Sequence, residues 1–596
     1  MPLAFSISLL LALQLPAGGI SVLAQGALFT TPVGGLEQTD ATSEVIDISG
    51  QGFTRALRVK VRKASTETNA TQLTIPISAK VTVGDTLLAT FWVRGQAASS
   101  GPGRVEFLFE KTTDPWTKSV IQDASASQTW HRFQVPFSAT QSYAPGEAMA
   151  SFRFAFGSQL VELGGIDVTD FGTTQSLESM IEAILAESPI VTVPVAFEVQ
   201  YPLQTMLGFG GDFCQARYGS TDAMDVVGKY VLDHLNVVHA RIGLPLNYWA
   251  PKEGEYHDDA QAAASFGTLA LMQKRRIPTV LSIWEPAEWL LGGSPEQAGR
   301  VLPKEKYGAC IEAIGHYLVV ARDKYGAKVD FISFNEPDYG VNFKFTPDTM
   351  RDFIRQAGPR FAELGLTTKF LVGDTSGGAS FAAYATPILE DSSIAAYLGP
   401  ISFHCWDVLS APDGQYENIK AVGKKFGKPI WCLEAGHDAG LWQAPNPWGT
   451  WDNALRTARA YAKTLRLSGA SLMDYWTYQD NYPIVDKNGP TPYPVFGVIQ
   501  QMETVFSPGA RVVQAPIGNP DLEALGTVDS KGALSVLLVN SGGPGKALLS
   551  GFASNSGVNI ITSVRSGATR VHAITSAAGT LAVPLPMRAV VTVVTG

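Results

Sequence analysis

Short alternating runs of apolar and polar residues fill the first part of the chain. Between residues 26 and 172, runs such as "ALRVKVRK", "RVEFLFEK" and "ASFRFAFG" are separated by turns, and no long helical pattern interrupts them. Alternation with a period of two is typical of strands that bury one face. We therefore predict a β-sandwich for residues 26–172.

A different pattern covers residues 206–506, where short apolar runs alternate with longer amphipathic stretches such as "CIEAIGHYLVVARDKYG". Eight apolar runs have strand character: "MLGFGGDF", "VVHARIGL", "PTVLSIW", "VDFISFNE", "KFLVGDT", "PISFHCW", "PIWCLEA" and "ASLMDYWTY". Eight strand and helix units in about 300 residues predict a (β/α)8 TIM barrel.

Short strand runs return in residues 507–596 and predict a second, smaller β-sandwich beside the barrel. Residues 173–205 form a linker that begins with the amphipathic segment "SLESMIEAILAES". The run "VTVPVAFEVQ" in this linker is expected to add strands to the C-terminal sandwich. The predicted fold class is therefore multidomain, α/β plus all-β.

The first 24 residues have the pattern of a secretory signal peptide. An apolar stretch is followed by "AGGISVLAQG", whose small residues suit cleavage after Ala24, although the segment before the apolar stretch has no Lys or Arg. The alternative is a buried N-terminal strand. We expect a secreted or periplasmic protein, and no other segment is long and apolar enough to span a membrane.

Composition narrows the class of partner. The formal net charge is −9 and no basic run occurs, so nucleic acid is not an expected partner. The four cysteines have neither C-x-x-C spacing nor metal-ligand spacing with histidine, which predicts buried apolar side chains; a disulfide remains open. They are Cys214, Cys310, Cys405 and Cys432.

Polar and aromatic residues stand at nearly every predicted strand end of the barrel, where TIM-barrel enzymes carry their active sites. Nine of the 12 tryptophans lie between Trp249 and Trp476, mostly after a strand run, where packing alone does not explain them. The residues at these ends are Arg241, Trp284, Glu285, Trp289, Asn335, Glu336, Asp374, His404, Trp406, Glu434, His437, Trp476, Tyr478 and Asp480.

Two carboxylates surrounded by aromatic side chains suit the cleavage of a glycosidic bond. One acid protonates the leaving oxygen, and a second carboxylate attacks the anomeric carbon or activates water. Glu336 and Glu434 end the fourth and seventh strands, so they are expected to face each other across the barrel mouth. No metal or organic cofactor is needed; His404 and His437 as zinc ligands lack a third ligand at the usual spacing.

Four motifs carry a resemblance to known enzymes. "NEP" after the fourth strand and a glutamate after the seventh resemble the retaining glycoside hydrolases of clan A. "GFGGDF", "WEPAEWL" and "YPVFGVIQQMETVFSPGARVV" are similar to family 30 of that clan, over residues 191–596. Two positions depart from that family: Phe334 stands where glutamine is common, and Asp212 where a small residue is usual. "SFNEPD" also suits families 39 and 5.

The resemblance implies a retaining β-glycoside hydrolase that acts on β-linked oligo- or polysaccharides such as xylan, β-1,6-glucan or galactan. It implies that Glu336 is the general acid/base and Glu434 the nucleophile, with the carboxyl groups roughly 5–5.5 Å apart. Asn335 would hold the sugar 2-hydroxyl, and Arg241 is the positive charge expected near the nucleophile. The expected substrate-binding residues are Asn335, Arg241, Trp284, Trp289, His404, Trp406, Tyr478, Trp476 and Trp442.

Individual roles are expected within this set. His404 and Tyr478 would orient the two carboxylates, and Trp284 and Trp476 would form the floor of the sugar subsite. The loop "LWQAPNPWGTWDN", with Trp442, Trp448 and Trp451, is expected to be a lid or subsite wall. Lys487 is a weak candidate for reading an acidic sugar.

The N-terminal region loosely resembles a carbohydrate-binding module of the jelly-roll kind, through "VGDTLLATFWVRG", "TWHRFQVPFSAT" and "GGIDVTDFG". Trp92, Trp116 and Trp130 could stack on sugars; Trp92 is expected in the core, and Trp116 is the better ligand candidate. Two alternatives stay open: a catalytically weak or inactive carbohydrate-binding surface protein, and an N-terminal sandwich with a purely structural role.

Overall fold

The computed structural model describes residues 18–24, 30–65, 67–97, 103–126, 128–187, 191–214, 224–293, 299–340, 343–444, 446–478 and 482–595. They form an N-terminal pair of antiparallel sheets, a closed parallel barrel ringed by helices, and a C-terminal pair of sheets. This is the predicted fold class. Within the described residues, no helix combines the length and apolarity needed to cross a membrane.

The N-terminal module has two sheets that face one another over a common apolar core. One sheet has the order β2-β3-β10-β5-β8 with β1 paired to β10, and the other has the order β4-β9-β6-β7. The strands are β1 Ile20–Ser21, β2 Thr42–Asp47, β3 Arg55–Val61, β4 Gln72–Pro76, β5 Thr86–Ala97, β6 Gly103–Lys111, β7 Lys118–Ala126, β8 His131–Ser138, β9 Ala148–Arg153 and β10 Gln159–Asp170.

The end of the predicted signal segment belongs to this module. Ile20–Ser21 pairs with β10, and Val22 and Leu23 are buried against its core. These residues therefore form the N-terminal strand that was the alternative interpretation, and cleavage after Ala24 would remove them. Residues 1–17 of the predicted signal peptide lie outside the described residues, and export stays a prediction.

The barrel closes through eight parallel strands in chain order. They are β12 Gly208–Asp212, β13 Ala240–Gly243, β14 Thr279–Ile283, β15 Phe331–Phe334, β16 Lys369–Thr375, β17 Leu398–His404, β18 Ile430–Ala435 and β19 Leu472–Tyr475. Seven of them fall within a predicted run, and β17 begins at Leu398, two residues before the run "PISFHCW". The helices are α1 Leu177–Glu187 in the linker, then α2 Val226–His234, α3 Leu246–Trp249, α4 Ala260–Arg275, α5 Tyr307–Asp323, α6 Pro347–Glu363, α7 Gly378–Leu389, α8 Asp413–Phe426, α9 Trp451–Ser468 and α10 Pro494–Glu503.

Local sequence fixes where the barrel helices begin and end. Thr346 caps α6 by accepting from the Thr349 backbone N–H, and Thr450 caps α9 in the same way. Gly427 and Gly469 end α8 and α9 in the left-handed conformation that glycine adopts without strain. Because all eight strands are parallel, their carboxyl ends lie together on one face of the barrel.

The C-terminal sandwich packs a six-stranded sheet, ordered β20-β21-β22-β27-β24-β25, on a three-stranded sheet ordered β11-β23-β26. Strand β11, Val191–Ala196, comes from the linker and pairs in parallel with β23, which confirms the predicted addition. The other strands are β20 Arg511–Gln514, β21 Leu522–Val528, β22 Leu534–Asn540, β23 Gly545–Ser550, β24 Gly557–Val564, β25 Gly567–Ile574, β26 Thr580–Leu585 and β27 Ala589–Thr595.

Helix α9 is buried along most of its length because both sandwiches cover it. Arg459 donates to Asp123 of the N-terminal module at 2.7 Å. Arg588, from the loop before β27, donates to Gln122 of that module at 2.7 Å and also to Asp452 at the start of α9. Charged hydrogen bonds of this kind are costly to break when they are buried, so the N-terminal module supports the barrel.

All four cysteines are buried thiols without a disulfide. Cys310 lies in the main core, and burial raises the pKa of its thiol far above the ordinary value. This confirms the prediction that they serve as small apolar residues.

The buried carboxyl of Asp521 predicts a pH-dependent stability at the interface of the two sandwiches. Burial raises its pKa to about 7, with Arg459 opposing and Asp123 adding to the rise, and His131 of the N-terminal module lies 3.6 Å away. Because the folded pKa exceeds the unfolded value, this group lowers stability progressively as pH rises from about 4 to 7. The rise in pKa from about 4 to about 7 corresponds to a free energy on the order of 4 kcal/mol. Asp521→Asn is therefore expected to raise the melting temperature at pH 8 but not at pH 4, whereas Asp348→Asn, which is exposed on α6, changes neither.

Candidate active site

Two glutamates face each other at the carboxyl end of the barrel. Glu336 follows β15, the fourth barrel strand, and Glu434 lies near the end of β18, the seventh. One carboxylate oxygen of each lies within 4.8 Å of the other. This spacing is close to the 5–5.5 Å separation of carboxyl groups in retaining glycosidases and shorter than the 6.5–9.5 Å of inverting enzymes.

Arg241 is the second residue of β13, contacts Glu434 and is fully buried. Its guanidinium donates to Glu434 Oε1 at 2.6 Å, to Asp374 Oδ2 at 2.9 Å and to Asp212 Oδ2 at 3.4 Å. Burial alone lowers the pKa of Arg241, but the three carboxylates raise it well above the ordinary value. The predicted contact between this arginine and Glu434 is present.

Asp374, at the end of β16, completes the charge cluster. Its Oδ2 also accepts from Ser333 Oγ at 2.8 Å, and Ser333 in turn lies 2.5 Å from Ser282, which accepts from Arg241 Nε at 2.9 Å. Burial raises the pKa of Asp374, yet Arg241 and His404 together lower it to about 2. Asp374 is therefore a permanent negative charge that fixes Arg241 in place.

His404 at the end of β17 connects the three carboxylates. Its Nδ1 lies 3.0 Å from Glu336 Oε1 and 3.3 Å from Glu434 Oε2, and its Nε2 lies 3.1 Å from Asp374 Oδ1. Burial alone lowers its pKa, but the carboxylates of Glu434, Asp374 and Glu336 raise it well above 6.5. The imidazolium form donates from both nitrogens and matches all three contacts.

Glu434 is surrounded by hydrogen-bond donors. Besides Arg241 and His404, Trp406 Nε1 donates to its Oε2 at 3.1 Å. Burial raises the pKa of Glu434, and the positive charges of His404 and Arg241 act against that rise. Because a protonated carboxyl would have to donate and these three neighbours are donors, the ionised form is the one that satisfies every contact.

The backbone at Glu336 turns sharply after β15. Its φ is 43°, in the left-handed region that is costly for a residue with a side chain, and Asp374 has a φ of 52°. Hydrogen bonds hold the turn: the Glu336 N–H donates to Asp374 O at 3.0 Å, and Gly340 N–H donates to Glu336 O at 2.9 Å. Two residues of the charge cluster therefore have strained backbone conformations.

Asn335 lies next to Glu336 and is 8% exposed. Its Oδ1 accepts from Arg241 Nη2 at 2.9 Å. That contact fixes the amide so that its Nδ2 donor is the group that can reach a ligand.

Aromatic side chains surround the charge cluster. Trp284 lies against Arg241, whose guanidinium carbon is 4.2 Å from the indole centroid, and Trp476 lies 5.8 Å from Trp284 between ring centroids. Tyr482 packs against Trp406 and Trp448 with ring centroids 5.4 Å and 5.0 Å away. These rings form one cluster with Cys214 and Leu441 and give the site apolar walls.

The structure does not bring every expected residue to the carboxylates. The Tyr478 hydroxyl donates to Gly210 O at 3.1 Å and its ring is buried under β12, so the expected orienting role is wrong for this residue. The Trp289 indole donates to Ala250 O at 2.7 Å beside Lys306, in the loop after β14. The expectation that Trp289 contacts the sugar therefore has no support from its contacts.

The remaining expected residues come from the segments that follow β18 and β19 in the sequence. Trp442 is 55% exposed in the loop after β18, and Trp448 from the same loop joins the aromatic cluster. Trp451 donates from its indole to Arg588 O at 2.7 Å and is part of the contact with the C-terminal sandwich. Lys487 is exposed in the turn before α10, and Asp480 lies outside the described residues.

The ligand atoms of Glu336, His404 and Glu434 also lie close enough together, within 4.8 Å, to approach one metal ion. His404 Nδ1 lies within hydrogen-bond distance of both glutamates, and its Nε2 contacts Asp374. His437 is not part of this group; its Nε2 is 3.0 Å from Asn453 Oδ1.

Neither a scan against protein-family models nor a search of the curated proteins gave a match. Solved structures do match, and they place the barrel and its side sandwich in the fold of the clan A glycoside hydrolases. A family 30 endoxylanase from Clostridium papyrosolvens C71 has a TM-score of 0.54 at 17% identity, covering 67% of this chain and 99% of that one.

Two other structures give the same result. The family 30 subfamily 8 xylanase from Clostridium acetobutylicum has a TM-score of 0.54 at 19% identity, covering 68% of this chain and 99% of that one. The catalytic domain of a family 30 xylanase from Talaromyces cellulolyticus has a TM-score of 0.52 at 17% identity, covering 68% and 100%. The fold is therefore one that retaining glycoside hydrolases use.

Sequence reasoning missed four contributors to the site. Ser282 and Ser333 are inward-facing strand residues, and Tyr482 follows residues that lie outside the described part of the chain. Asp212 was noted only as a departure from a family pattern. The serines carry no local signal, because only the barrel register shows that they lie side by side on β14 and β15.

Proposed function

We propose that this protein is a retaining β-glycoside hydrolase. The observation that carries the proposal is the pair of carboxylates at the ends of the fourth and seventh barrel strands, with oxygens within 4.8 Å of each other. Their environments differ: Glu434 is buried among three donors, whereas the Glu336 side chain is 15% exposed and contacts one. Such a difference suits one nucleophile and one acid/base.

In the first step, Glu434 attacks the anomeric carbon and the bond to the leaving oxygen breaks. Glu336 gives its proton to that oxygen, so the leaving sugar departs as an alcohol and Glu434 carries the glycosyl ester. Arg241, His404 and Trp406 hold the attacking carboxylate in position. The Asn335 amide is placed to donate to the 2-hydroxyl, a contact that strengthens as charge develops.

In the second step, Glu336 takes a proton from water as that water attacks the glycosyl ester. The sugar leaves with retained configuration and both carboxyl groups return to their starting states. His404 touches both glutamates, and we infer that it adjusts its contacts as the charge moves from Glu434 to Glu336 and back.

The substrate class that we propose is a β-linked glycan such as xylan, β-1,6-glucan or galactan. The apolar walls made by Trp284, Trp476 and Trp406 suit the flat faces of sugar rings. We also propose that the protein acts outside the cytoplasm, where such polymers are found.

The first test is an activity panel of aryl β-glycosides and soluble β-glycans, with the anomer of the first product followed by NMR. We expect release of sugar with the β-anomer formed first. Initial formation of the α-anomer would contradict the retaining mechanism, and binding of a glycan without any release would favour the alternative of a carbohydrate-binding protein.

Replacing Glu336 by alanine tests the acid/base role. We expect hydrolysis of polysaccharide to fall by roughly 10²–10⁴-fold, the usual contribution of a general acid. Substrates with a strongly acidic leaving group, such as a dinitrophenyl glycoside, need no proton in the first step, so that step should remain fast and the glycosyl-enzyme should accumulate. Equal losses on both substrates would contradict this role for Glu336.

A further inference from the structure

A second cavity lies where the three domains meet, on the far side of the loop that follows β18. Its volume is about 720 Å³, within the usual range for ligand pockets. The hairpin between β6 and β7 contributes one wall, the loop at residues 438–444 and the start of α9 a second, and strands β24 and β25 a third. Neither catalytic glutamate lines it.

Trp116 presents an apolar face in this cavity. It stands at the tip of the β6–β7 hairpin, is 48% exposed and has a φ of 48°, which is costly for a bulky residue. Strained backbone conformations of this kind cluster at active sites and at segments that clamp a ligand. Trp130, another predicted stacking residue, precedes β8 in the other sheet of the module and packs against Phe53 and Arg94.

The wall opposite contains polar side chains whose hydrogen bonds are incomplete. Asn453, His437 and Arg456 line the cavity and are all more than nine-tenths buried. Among the described residues, Asn453 Nδ2, His437 Nδ1 and Arg456 Nε have no hydrogen-bond partner. Buried polar atoms nearly always have one, supplied where necessary by a ligand or water.

The arginines of α9 and of the loop before β27 that line the cavity are paired inside the protein. Arg588 donates to Asp452 and Gln122, and Arg456 faces Glu106 at 3.9 Å. Burial lowers the pKa of His437 to about 4, so its ring is neutral near pH 7. The buried polar atoms without a hydrogen-bond partner therefore suit a neutral ligand that has several hydroxyls and an apolar face. This is the chemistry of a sugar ring.

The loop after β18 connects this cavity with the active site. Leu441 packs with the active-site aromatic cluster and also lines the cavity, and Gln443 lines it as well. Trp442 stands between these two residues and is 55% exposed. The loop therefore lies between the aromatic cluster of the active site and the cavity.

We propose that the three-domain cavity is a remote subsite for the same β-glycan, in which Trp116 stacks on a sugar ring and Asn453 and Arg456 donate to its hydroxyls. The choice of a glycan rests on the proposed function. The subsite would hold a polymer at a distance from the bond that is cut, and a short substrate would not reach it.

Affinity electrophoresis of the full chain in gels that contain soluble β-xylan or β-1,6-glucan tests this subsite. All variants carry Glu434→Ala so that the polymer stays intact. Adding Trp116→Ala is expected to weaken binding roughly tenfold, the effect of losing one aromatic anchor. Adding Thr569→Trp, from the exposed strand β25 on the third wall, should weaken it too. Trp130→Ala is the matched control and should leave binding unchanged.

Activity separates failure of the subsite from failure of the proposed function. In the otherwise unchanged chain, Trp116→Ala should hydrolyse a short aryl β-glycoside at the normal rate and a polymer with lower kcat/KM. Unchanged polymer binding in both Trp116→Ala and Thr569→Trp would overturn the subsite, as would the absence of binding to either glycan. If no glycoside is hydrolysed but Trp116→Ala still weakens glycan binding, the proposed hydrolase fails and the subsite stands.

Discussion

Glu434→Ala is expected to lower kcat by at least about 10⁴-fold, in line with losses seen when a catalytic nucleophile is removed. Alanine has no side-chain oxygen that could attack the anomeric carbon, so no glycosyl ester forms. Substrate binding should stay largely intact, because the aromatic walls and Asn335 are unchanged. The measurements are kcat by product release and glycan affinity by calorimetry.

Adding the small anion azide to the Glu434→Ala variant tests the nucleophile role of Glu434 more specifically. Azide is expected to enter the space left by the Glu434 side chain, attack the anomeric carbon and yield a glycosyl azide of inverted configuration. Glu390→Ala, an exposed glutamate paired with Lys425 on the surface, is the control and should keep normal kcat. A Glu434→Ala enzyme with near-normal turnover would refute the nucleophile role.

The barrel could be predicted because its strands are short and apolar and are separated from one another by longer amphipathic stretches. Each of the eight runs is buried on both faces, as β14 and β18 illustrate, so the apolar pattern is strong and continuous. Strands at the edges of the sandwiches were harder to find: β2, which lies at one edge of the N-terminal module and is exposed along most of its length, matches none of the predicted runs. Exposed edge strands lack the alternation on which the prediction depends.

The charge cluster could be predicted only in part. Strand ends identify Arg241, Asp374 and His404 as neighbours of the glutamates, because a parallel barrel brings all such ends to one rim. Which of their atoms form hydrogen bonds depends on the register of the strands and on the direction of each side chain. The mistaken expectation for Tyr478 has this cause: the chain direction after β19 turns its ring under β12, and Tyr482 takes a place in the aromatic cluster instead.

Phe334 was the departure from the family pattern that seemed most important from sequence, and its position corrects that view. Its side chain is buried with Phe343, Phe345 and Phe353, between the barrel and α6, while its neighbour Ser333 faces the barrel interior. Asp212 is the departure that reaches the site, because it adds a third carboxylate to Arg241.

The role of the N-terminal module was beyond sequence reasoning, because it depends on contacts between residues hundreds of positions apart. Asp123 and Gln122 of β7 bind Arg459 and Arg588, and those contacts cover α9. Deleting the module would expose these buried charges. Single substitutions at Trp116 are therefore a cleaner test of carbohydrate binding than deletion of the module.

Arg241→Met is expected to cost about 3–5 kcal/mol of stability, the usual result of removing one partner from a buried ion pair. Methionine fills much of the same volume, but Asp212, Asp374 and Glu434 then lose the positive charge that they share, and His404 contacts only the last two of them. The melting temperature should fall by roughly 10 °C, and activity should fall with it because Glu434 loses its closest donor.

The pH dependence separates lost charge from lost packing. In the native chain the pKa of Asp374 is about 2, below its unfolded value, so its contribution to stability is present above about pH 4 and is lost as pH falls toward 2. Without Arg241 the largest part of that contribution is lost, so the difference between the two proteins should be constant above about pH 4 and should shrink as pH falls toward 2. Arg275→Met, which removes a surface pair with Asp233, is the control and should show a small change at every pH. A deficit in Arg241→Met that is the same at pH 2 and pH 7 would mean that packing, and not the charge of the guanidinium, holds the three carboxylates together.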